Sequence, residues 1–184
     1  TLFNGASHAF DLVIRLNSDV PATWVQGHLQ DGDDAVQGDR LVLDPVGHGM
    51  IQFENGVTAY ALNSGRRSEW EAVCERGVLT ALANGNEWQM RVVGAADHRG
   101  RPGLVPAAFP TYERASSTLR LVEDLVHSLD TGEPPRGGVR NARASTELIF
   151  GIIESHLRGG ARIDLPLEGS SIRLERGVAP RQPK

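Results

Sequence analysis

The stretch MIQFENGVTAYALN, residues 50–63, decides the fold class. Two extended segments flank Asn55-Gly56, the strongest short signal for a two-residue hairpin, because a type I′ turn needs positive φ at both central residues. The stretch therefore predicts two antiparallel strands joined by a tight turn.

Similar extended segments, rich in β-branched and aromatic residues, lie on both sides of this hairpin. Together they predict an antiparallel meander over residues 23–93, with strands at 23–29, 40–43, 50–54, 57–63, 68–74, 78–82 and 87–93. Residues 94–112 contain three prolines and three glycines. They predict a long surface loop, and long loops often carry function.

Helical periodicity appears only at the two ends of the chain. Residues 1–17 predict a first helix, because apolar residues recur there at spacings of three and four. Residues 113–176 predict two more helices and a closing strand. The resulting class is α+β: a large, mainly antiparallel sheet in a single domain over residues 1–184. Helices cover one face of that sheet, and the other face is open for dimerisation.

Composition restricts the partners that we expect. The net charge is −4 with acids and bases interspersed, so no basic stripe predicts nucleic acid binding. No apolar segment approaches the roughly 20 residues of a membrane span. Cys74 is the only cysteine, and no signal sequence opens the chain, which favours the cytoplasm. Small molecules or other proteins remain as partners.

The densest polar cluster lies on the first helix and contains Asn4, Ser7, His8 and Asp11. Asn4 and His8 are four residues apart and share a helix face, and Asp11 is one turn beyond His8. An imidazole within reach of a carboxylate can exchange a proton near neutral pH, which suits oxidation of an alcohol. The competing interpretation is a histidine that only packs on its helix beside a solvated Asp11.

The same segment carries a family resemblance. LFNGASHAFD, residues 2–11, resembles the helix that opens the C-terminal domain of the glucose-fructose oxidoreductase and inositol dehydrogenase (Gfo/Idh/MocA) family. FENGV at 53–57 is similar to the strand-turn-strand that follows in that family. LVEDL at 121–125 with GEPP at 132–135, and the last helix with the strand before LPL at 165–167, are also similar. The similarity covers almost the whole chain.

The resemblance implies a substrate-binding and dimerisation domain of an NAD(P)-dependent oxidoreductase acting on a sugar or polyol. It implies that His8 is catalytic and that Asn4, Ser7 and Asp11 contact substrate. Arg99, Arg101 and Tyr112, in the predicted loop, are further expected substrate contacts. Asn4 stands where the family usually has Asp, and an amide cannot exchange a proton as a carboxylate does.

The resemblance also implies that a Rossmann domain, with the catalytic lysine, precedes Thr1. The chain itself has a single lysine, Lys184. Gly47-His48-Gly49 precedes a predicted strand rather than a helix, so these glycines are predicted turn residues and not a dinucleotide site. We expect NAD or NADP to bind the complete enzyme, and this chain alone to be inactive and to bind neither tightly. No metal site is expected.

Two other functions remain open at this point. One is a non-catalytic ligand-binding or scaffolding module derived from the family, in which Asn4 marks the loss of catalysis. The other is a stand-alone α+β dimerisation domain whose likeness to the family is only architectural.

Overall fold

A computed structural model describes residues 1–63, 69–112 and 115–175 of the chain. They belong to two compact units, the first with Thr1–Asn63 and Leu121–Lys184 and the second with Ser64–Arg120. The α+β class is confirmed, since helices combine with mainly antiparallel strands. The strands form three sheets in the described residues, however, and not the one large sheet that the sequence predicted.

The helices begin and end close to the predicted positions. A π-helical turn, Leu2–Ala6, continues directly into the first α-helix. In chain order the α-helices are α1 (Ser7–Leu16), the short additional helix α2 (Gly32–Ala35), α3 (Ser117–Thr131) and α4 (Val139–Leu157). None of the helices in the described residues is long and apolar enough to cross a membrane.

Eleven strands are assigned in the described residues. In chain order they are β1 (Ala22–Leu29), β2 (Val36–Gln37), β3 (Arg40–Leu41), β4 (Gly47–Phe53), β5 (Thr58–Ala61), β6 (Trp70–Cys74), β7 (Gly77–Leu82), β8 (Glu87–Ala96), β9 (Pro102–Ala107), β10 (Ile163–Asp164) and β11 (Arg173–Leu174). The predicted hairpin is confirmed as the β4–β5 connection. The type I′ turn is not, because only Gly56, at φ +88°, has positive φ there, and Asn55 does not. Part of the predicted strand 68–74 lies outside the described residues, because Ser68 does.

The first unit is built on a four-stranded sheet with the order β10-β1-β4-β5. Helix α4 packs on β1, and α1 packs on α4. Gly151 allows the close approach of α4 to the sheet, since a Cβ there would collide with Cγ1 of Val25. The apolar core lies between these layers and includes Leu2, Phe10, Ile14, Val25, Ile51, Phe53, Leu148, Ile149, Ile152 and Ile153.

The second unit contains the antiparallel sheet β6-β7-β8-β9. The prediction of a loop over residues 94–112 is wrong for much of this segment, because β8 extends to Ala96 and the last strand of the sheet, β9, occupies Pro102–Ala107. β9 is an edge strand, where a proline can lack its N–H donor without breaking a ladder. The prolines at 102 and 106 are therefore compatible with a strand.

Strand register assigns the side chains of this second sheet to its two faces. Residues paired across an antiparallel sheet share a face, and Trp88 pairs with Ala81, Met90 with Leu79 and Val92 with Val105. One face therefore carries large apolar side chains, namely Trp70, Leu79, Trp88, Met90, Val92 and Val105. The opposite face is mixed. It carries Glu71, Gln89 and Arg91, with an ion pair of 3.4 Å between Arg91 and Glu71, and also the exposed Val73, Val93 and Leu104.

Helix α3 has the amphipathic pattern that the sequence predicted, but it contains no buried residue. Its apolar side chains are about half exposed or more, with Leu129 at 76%. The half-buried positions on this helix are the polar Asp124 and Ser128. The periodicity predicted the helix correctly and did not reveal that its apolar face stays exposed within the described residues.

Candidate substrate site

The start of the first helix is fixed by the segment that precedes β4. The backbone N–H of Phe3 donates to Oδ1 of Asp44 over 2.9 Å, and that of Asn4 donates to Oδ2 over 3.1 Å. The N–H of Leu2 donates to the carbonyl of Pro45 over 2.8 Å. The N–H groups at a helix start have no partner within the helix. Residues 44 and 45 supply acceptors for three of these groups.

Asn4 and His8 both point into solvent from this anchored segment. Their residues are exposed. Among the residues that the structure describes, neither side chain has a hydrogen-bond or ion-pair partner. The imidazole of His8 is thus free to accept a proton from a bound molecule, and the amide of Asn4, one turn away, can both donate and accept.

Ser7 and Asp11 are half-buried and already engaged with their own helix. The hydroxyl of Ser7 donates to the carbonyl of Phe3 over 2.7 Å, which leaves its oxygen lone pairs as acceptors. Oδ2 of Asp11 lies 3.4 Å from Nε of Arg15, one turn further along α1. The sequence had placed the Asp11 carboxylate beside His8, and the recorded partner is Arg15 instead.

Arg99 and Arg101 lie in the tight turn between β8 and β9. Oδ1 of Asp97 accepts the backbone N–H of Arg99 over 2.8 Å and that of Arg101 over 2.9 Å. The guanidinium of Arg101 is 3.8 Å from the same carboxylate. Both arginine residues are exposed. These contacts with Asp97 stabilise the turn, and they do not indicate a cavity beside either arginine.

Tyr112 lies at the other end of the β8–β9 ladder. Its ring meets Phe109 edge-on, with 5.9 Å between centroids, and Phe109 stacks on Trp88 at 5.1 Å. The ladder pairs Met90 with Ala107 at this end and Ala96 with Pro102 at the other. Six residue steps of strand span roughly 20 Å. Arg99, Arg101 and Tyr112 therefore do not form one site with each other, and all three belong to a different unit from His8.

A groove that the sequence did not predict runs along α4. It is lined by Val139, Ala142, Arg143, Thr146, Glu147, Phe150, Leu167, Gly169 and Ser170. Oε1 of Glu147 accepts the backbone N–H of Leu167 over 2.7 Å and so holds one wall of the groove to the other. Phe150 meets Phe3 edge-on, with 5.8 Å between the ring centroids. The groove therefore adjoins the start of the first helix.

Three histidines that are far apart in sequence come together at the C-terminal end of α4. The ring of His28 lies 4.8 Å from that of His156 and 5.6 Å from that of His48. Nδ1 of His156 accepts the backbone N–H of Leu29 over 3.2 Å, which assigns its proton to Nε2 in the neutral form. Within the described residues, no group of three or more His, Cys, Asp or Glu is arranged to hold a metal ion.

Gly47 and Gly49, which the sequence placed in a turn, lie within β4 and pair with β1. A Cβ on Gly49 would come within 2.9 Å of the Ile152 side chain. Gly49 therefore allows close packing between β4 and α4. The prediction of turn residues is wrong here, and the prediction that this segment does not lead into a helix is confirmed, since Gly47–Phe53 is a strand.

No protein-family model matches the chain, and no curated protein sequence matches it. Solved structures do. The WlbA dehydrogenase from Bordetella pertussis, in complex with NADH and UDP-GlcNAcA, superposes with a TM-score of 0.57 and 19% identity over 90% of this chain and 46% of that one. Aldose-aldose oxidoreductase from Caulobacter crescentus, complexed with glycerol, gives a TM-score of 0.61 and 16% identity, over 86% of this chain and 45% of that chain.

The UDP-N-acetylglucosamine 3-dehydrogenase GnnA from Acidithiobacillus ferrooxidans gives a TM-score of 0.58 and 17% identity, over 83% of this chain and 48% of that chain. The chain thus spans about half the length of these structures. At such identities the likeness shows a shared fold. The three neighbours named above are dehydrogenases or oxidoreductases by name.

Proposed function

We propose that this chain is the substrate-binding and dimerisation domain of an NAD(P)-dependent oxidoreductase of the Gfo/Idh/MocA type, acting on a sugar, a polyol or a related hydroxyl compound. The observation that carries the proposal is the exposed imidazole of His8 beside Asn4, on a helix start held by Asp44. The fold shared with about half of several sugar oxidoreductases supports it.

The residues that the structure describes do not fit a dinucleotide. A pyrophosphate needs a glycine-rich turn that leads from a strand into a helix N-terminus. The Gly47–Gly49 segment lies inside an antiparallel strand and packs on α4. We assign NAD or NADP to a separate Rossmann domain of the complete enzyme, and we expect the isolated chain to be inactive.

His8 and Asn4 would act on the substrate hydroxyl. Oxidation of a secondary alcohol to a ketone requires that its O–H proton leave as the C–H hydride is transferred. The imidazole of His8 accepts that proton, and the carboxamide of Asn4 orients the hydroxyl. In the reverse reaction the imidazolium of His8 returns the proton to the carbonyl oxygen. The groove along α4 offers Arg143, Thr146 and Phe150 for contacts with the remainder of the substrate.

The second unit supports self-association. One face of its sheet carries Trp70, Leu79, Trp88, Met90, Val92 and Val105, as the strand register requires. An apolar face of this kind is typical of an interface. We propose that a second copy of the chain covers it in a homodimer.

A screen of sugars and polyols tests the proposed function. The native chain that contains this sequence, or this domain combined with its nucleotide-binding domain, is incubated with each compound and with NAD or NADP. Reduction of the nicotinamide, followed by its absorbance, supports the proposal. Calorimetry on the isolated domain should detect no micromolar affinity for either dinucleotide. The absence of turnover with every compound, in a complete enzyme that binds NAD(P), would reject the proposal.

The alternative is a non-catalytic ligand-binding module. Two observations favour it: the family's usual Asp is Asn4 here, and the carboxylate of Asp11 pairs with Arg15. Such a module would bind a sugar and leave the nicotinamide unchanged. The same screen separates the two functions when ligand binding is measured by calorimetry in parallel with turnover.

A further inference from the structure

We propose that Asp44 is a positioning residue for the His8 segment, holding the backbone from which Asn4 and His8 reach the substrate. The inference rests on the proposed function and adds to it a residue that does not itself touch the substrate. Asp44 lies 36 positions beyond His8 in the sequence, and neither motif nor periodicity connects the two.

One carboxylate takes up three hydrogen bonds from the first residues of the chain. Oδ2 accepts from the hydroxyl of Thr1 over 2.6 Å and from the N–H of Asn4 over 3.1 Å, while Oδ1 accepts from the N–H of Phe3 over 2.9 Å. A negative charge at a helix N-terminus also interacts favourably with the helix dipole. Asp44 thus acts as the N-terminal cap of this helix from a distant position in the sequence.

The residue beside Asp44 connects this cap to the core. Pro45 is fully buried, and its carbonyl accepts the N–H of Leu2 over 2.8 Å. Leu2 is itself only 1% exposed and belongs to the apolar core. The backbone around Asp44 therefore cannot move independently of the core, and the carboxylate presents its oxygens in a fixed position.

The anchored backbone carries the candidate catalytic groups directly. The N–H of Asn4 is held by Asp44, while its side chain is exposed. The next turn is tied back by the Ser7 hydroxyl, which donates to the carbonyl of Phe3. His8 follows at once. Because a displacement of about 1 Å at a reacting group can lower the rate by roughly 10²-fold, loosening this turn should lower turnover.

The test compares Asp44→Ala and Asp44→Asn with Asp39→Ala. Asp39 is a matched control, since in the described part of the chain its exposed carboxylate pairs with Arg173 alone, at 3.7 Å. In the native chain, Asp44→Ala should speed hydrogen exchange at the amides of Phe3 and Asn4 by about tenfold, as expected for a lost cap. Amides of β1 and β4 should exchange unchanged. Asp44→Asn should be intermediate, because its carboxamide keeps only one acceptor oxygen.

The catalytic readout separates positioning from a general structural role. Asp44→Ala should lower kcat by about tenfold or more while KM for the dinucleotide stays within about twofold. The NMR resonances of the His8 ring should shift in Asp44→Ala and not in Asp39→Ala. Unchanged exchange at residues 3 and 4, or an unchanged kcat despite faster exchange, would overturn the inference.

The two proposals fail in different ways. If the native enzyme oxidises no sugar or polyol, the proposed function is rejected, and Asp44 is then no positioning residue for catalysis, even if exchange at Phe3 and Asn4 confirms the cap. If turnover is present and insensitive to Asp44→Ala, only the Asp44 inference is rejected. Asp44→Asn keeps the test decisive if Asp44→Ala does not fold.

Discussion

Oδ2 of Asp11 lies 3.4 Å from Nε of Arg15 on the same face of α1, and this pair uses the carboxylate that the sequence had assigned to His8. The two side chains are 41% and 30% exposed. An imidazole without a neighbouring carboxylate keeps both tautomers accessible until a substrate is bound. Orientation of His8 then depends on the helix backbone and not on Asp11.

Replacement of Asp11 should therefore have a small effect on catalysis. Asp11→Asn is expected to change kcat by less than about threefold and to lower the free energy of unfolding by about 0.5 kcal/mol or less, the usual contribution of an i,i+4 ion pair. Arg15→Gln should have the same stability effect. Steady-state kinetics and urea denaturation measure both quantities. A hundredfold loss of kcat in Asp11→Asn alone would mean that the carboxylate does act on His8.

Gly151 should be required by packing, although glycine is unfavourable within a helix. A Cβ at this position would collide with Cγ1 of the fully buried Val25. Gly151→Ala is expected to lower the free energy of unfolding by about 1–3 kcal/mol, as overpacking does. Gly5→Ala is the matched control, since in the described residues no atom beyond its chain neighbours and its own helix backbone lies within 4 Å of its Cβ position. That variant should be neutral or more stable by up to about 1 kcal/mol.

The decisive observation is the sign of the difference between the two variants in the free energy of unfolding. Both variants gain helix propensity, so only the contact with β1 distinguishes them. Urea denaturation followed by circular dichroism gives both free energies. A stabilising effect of Gly151→Ala equal to that of Gly5→Ala would contradict the packing of α4 on β1.

Ser155 should stabilise the contact between α4 and the first sheet through its hydroxyl. The residue is fully buried. Its Oγ donates to the carbonyl of Ala161 over 2.6 Å and accepts the N–H of Gly27 over 2.9 Å. Ser155→Ala leaves two backbone groups without these partners and should lower the free energy of unfolding by about 1–3 kcal/mol.

Thr146→Ala provides the comparison for Ser155→Ala. Among the residues that the structure describes, its exposed hydroxyl donates to the carbonyl of Ala142 within α4 and to no other group, so the change should stay within about 0.5 kcal/mol. Thermal or chemical denaturation of the two variants side by side checks the prediction. Equal effects of the two substitutions would show that the buried hydroxyl contributes nothing specific.

Self-association should depend on one face of the second sheet. Val105 and Leu104 are neighbours on β9, are 46% and 44% exposed, and point to opposite faces. Val105→Asp places a charge on the proposed interface and should convert the dimer to monomer, because an unpaired buried charge is costly. Leu104→Asp should leave the dimer intact. Light scattering measures the mass, and a monomeric parent chain would reject the homodimer at the outset.

The sequence predicted the local elements more successfully than their partners. Spacings of three and four placed α1 and α3, and Asn55-Gly56 placed the β4–β5 hairpin, because these signals depend on residues close in the chain. The same local signals do not predict how the strands are distributed among three sheets, or that the apolar face of α3 is exposed in the described residues. Both properties depend on packing between residues that are far apart in the sequence. Pro102 and Pro106 favoured a loop, and an edge strand tolerates them.

In the candidate site, too, local features were predicted from the sequence and long-range contacts were missed. Asn4 and His8 were found from their spacing and from the family resemblance, and the structure leaves both side chains exposed. Asp44 was missed because it contacts the helix start from about 40 residues away. Arg99, Arg101 and Tyr112 were grouped by their nearness in sequence, and the β8–β9 ladder separates the two arginines from the tyrosine.

Turnover by His8→Ala tests the central claim most directly. In the complete enzyme, assayed on a sugar or polyol that the parent oxidises, loss of the proton acceptor should lower kcat by roughly 10²–10⁴-fold while the fold remains intact. Asn4→Asp, which introduces the carboxylate that is usual in the family that the sequence resembles, should preserve or raise kcat. Near-parental kcat in a stably folded His8→Ala enzyme would contradict the account, because the histidine would then be structural.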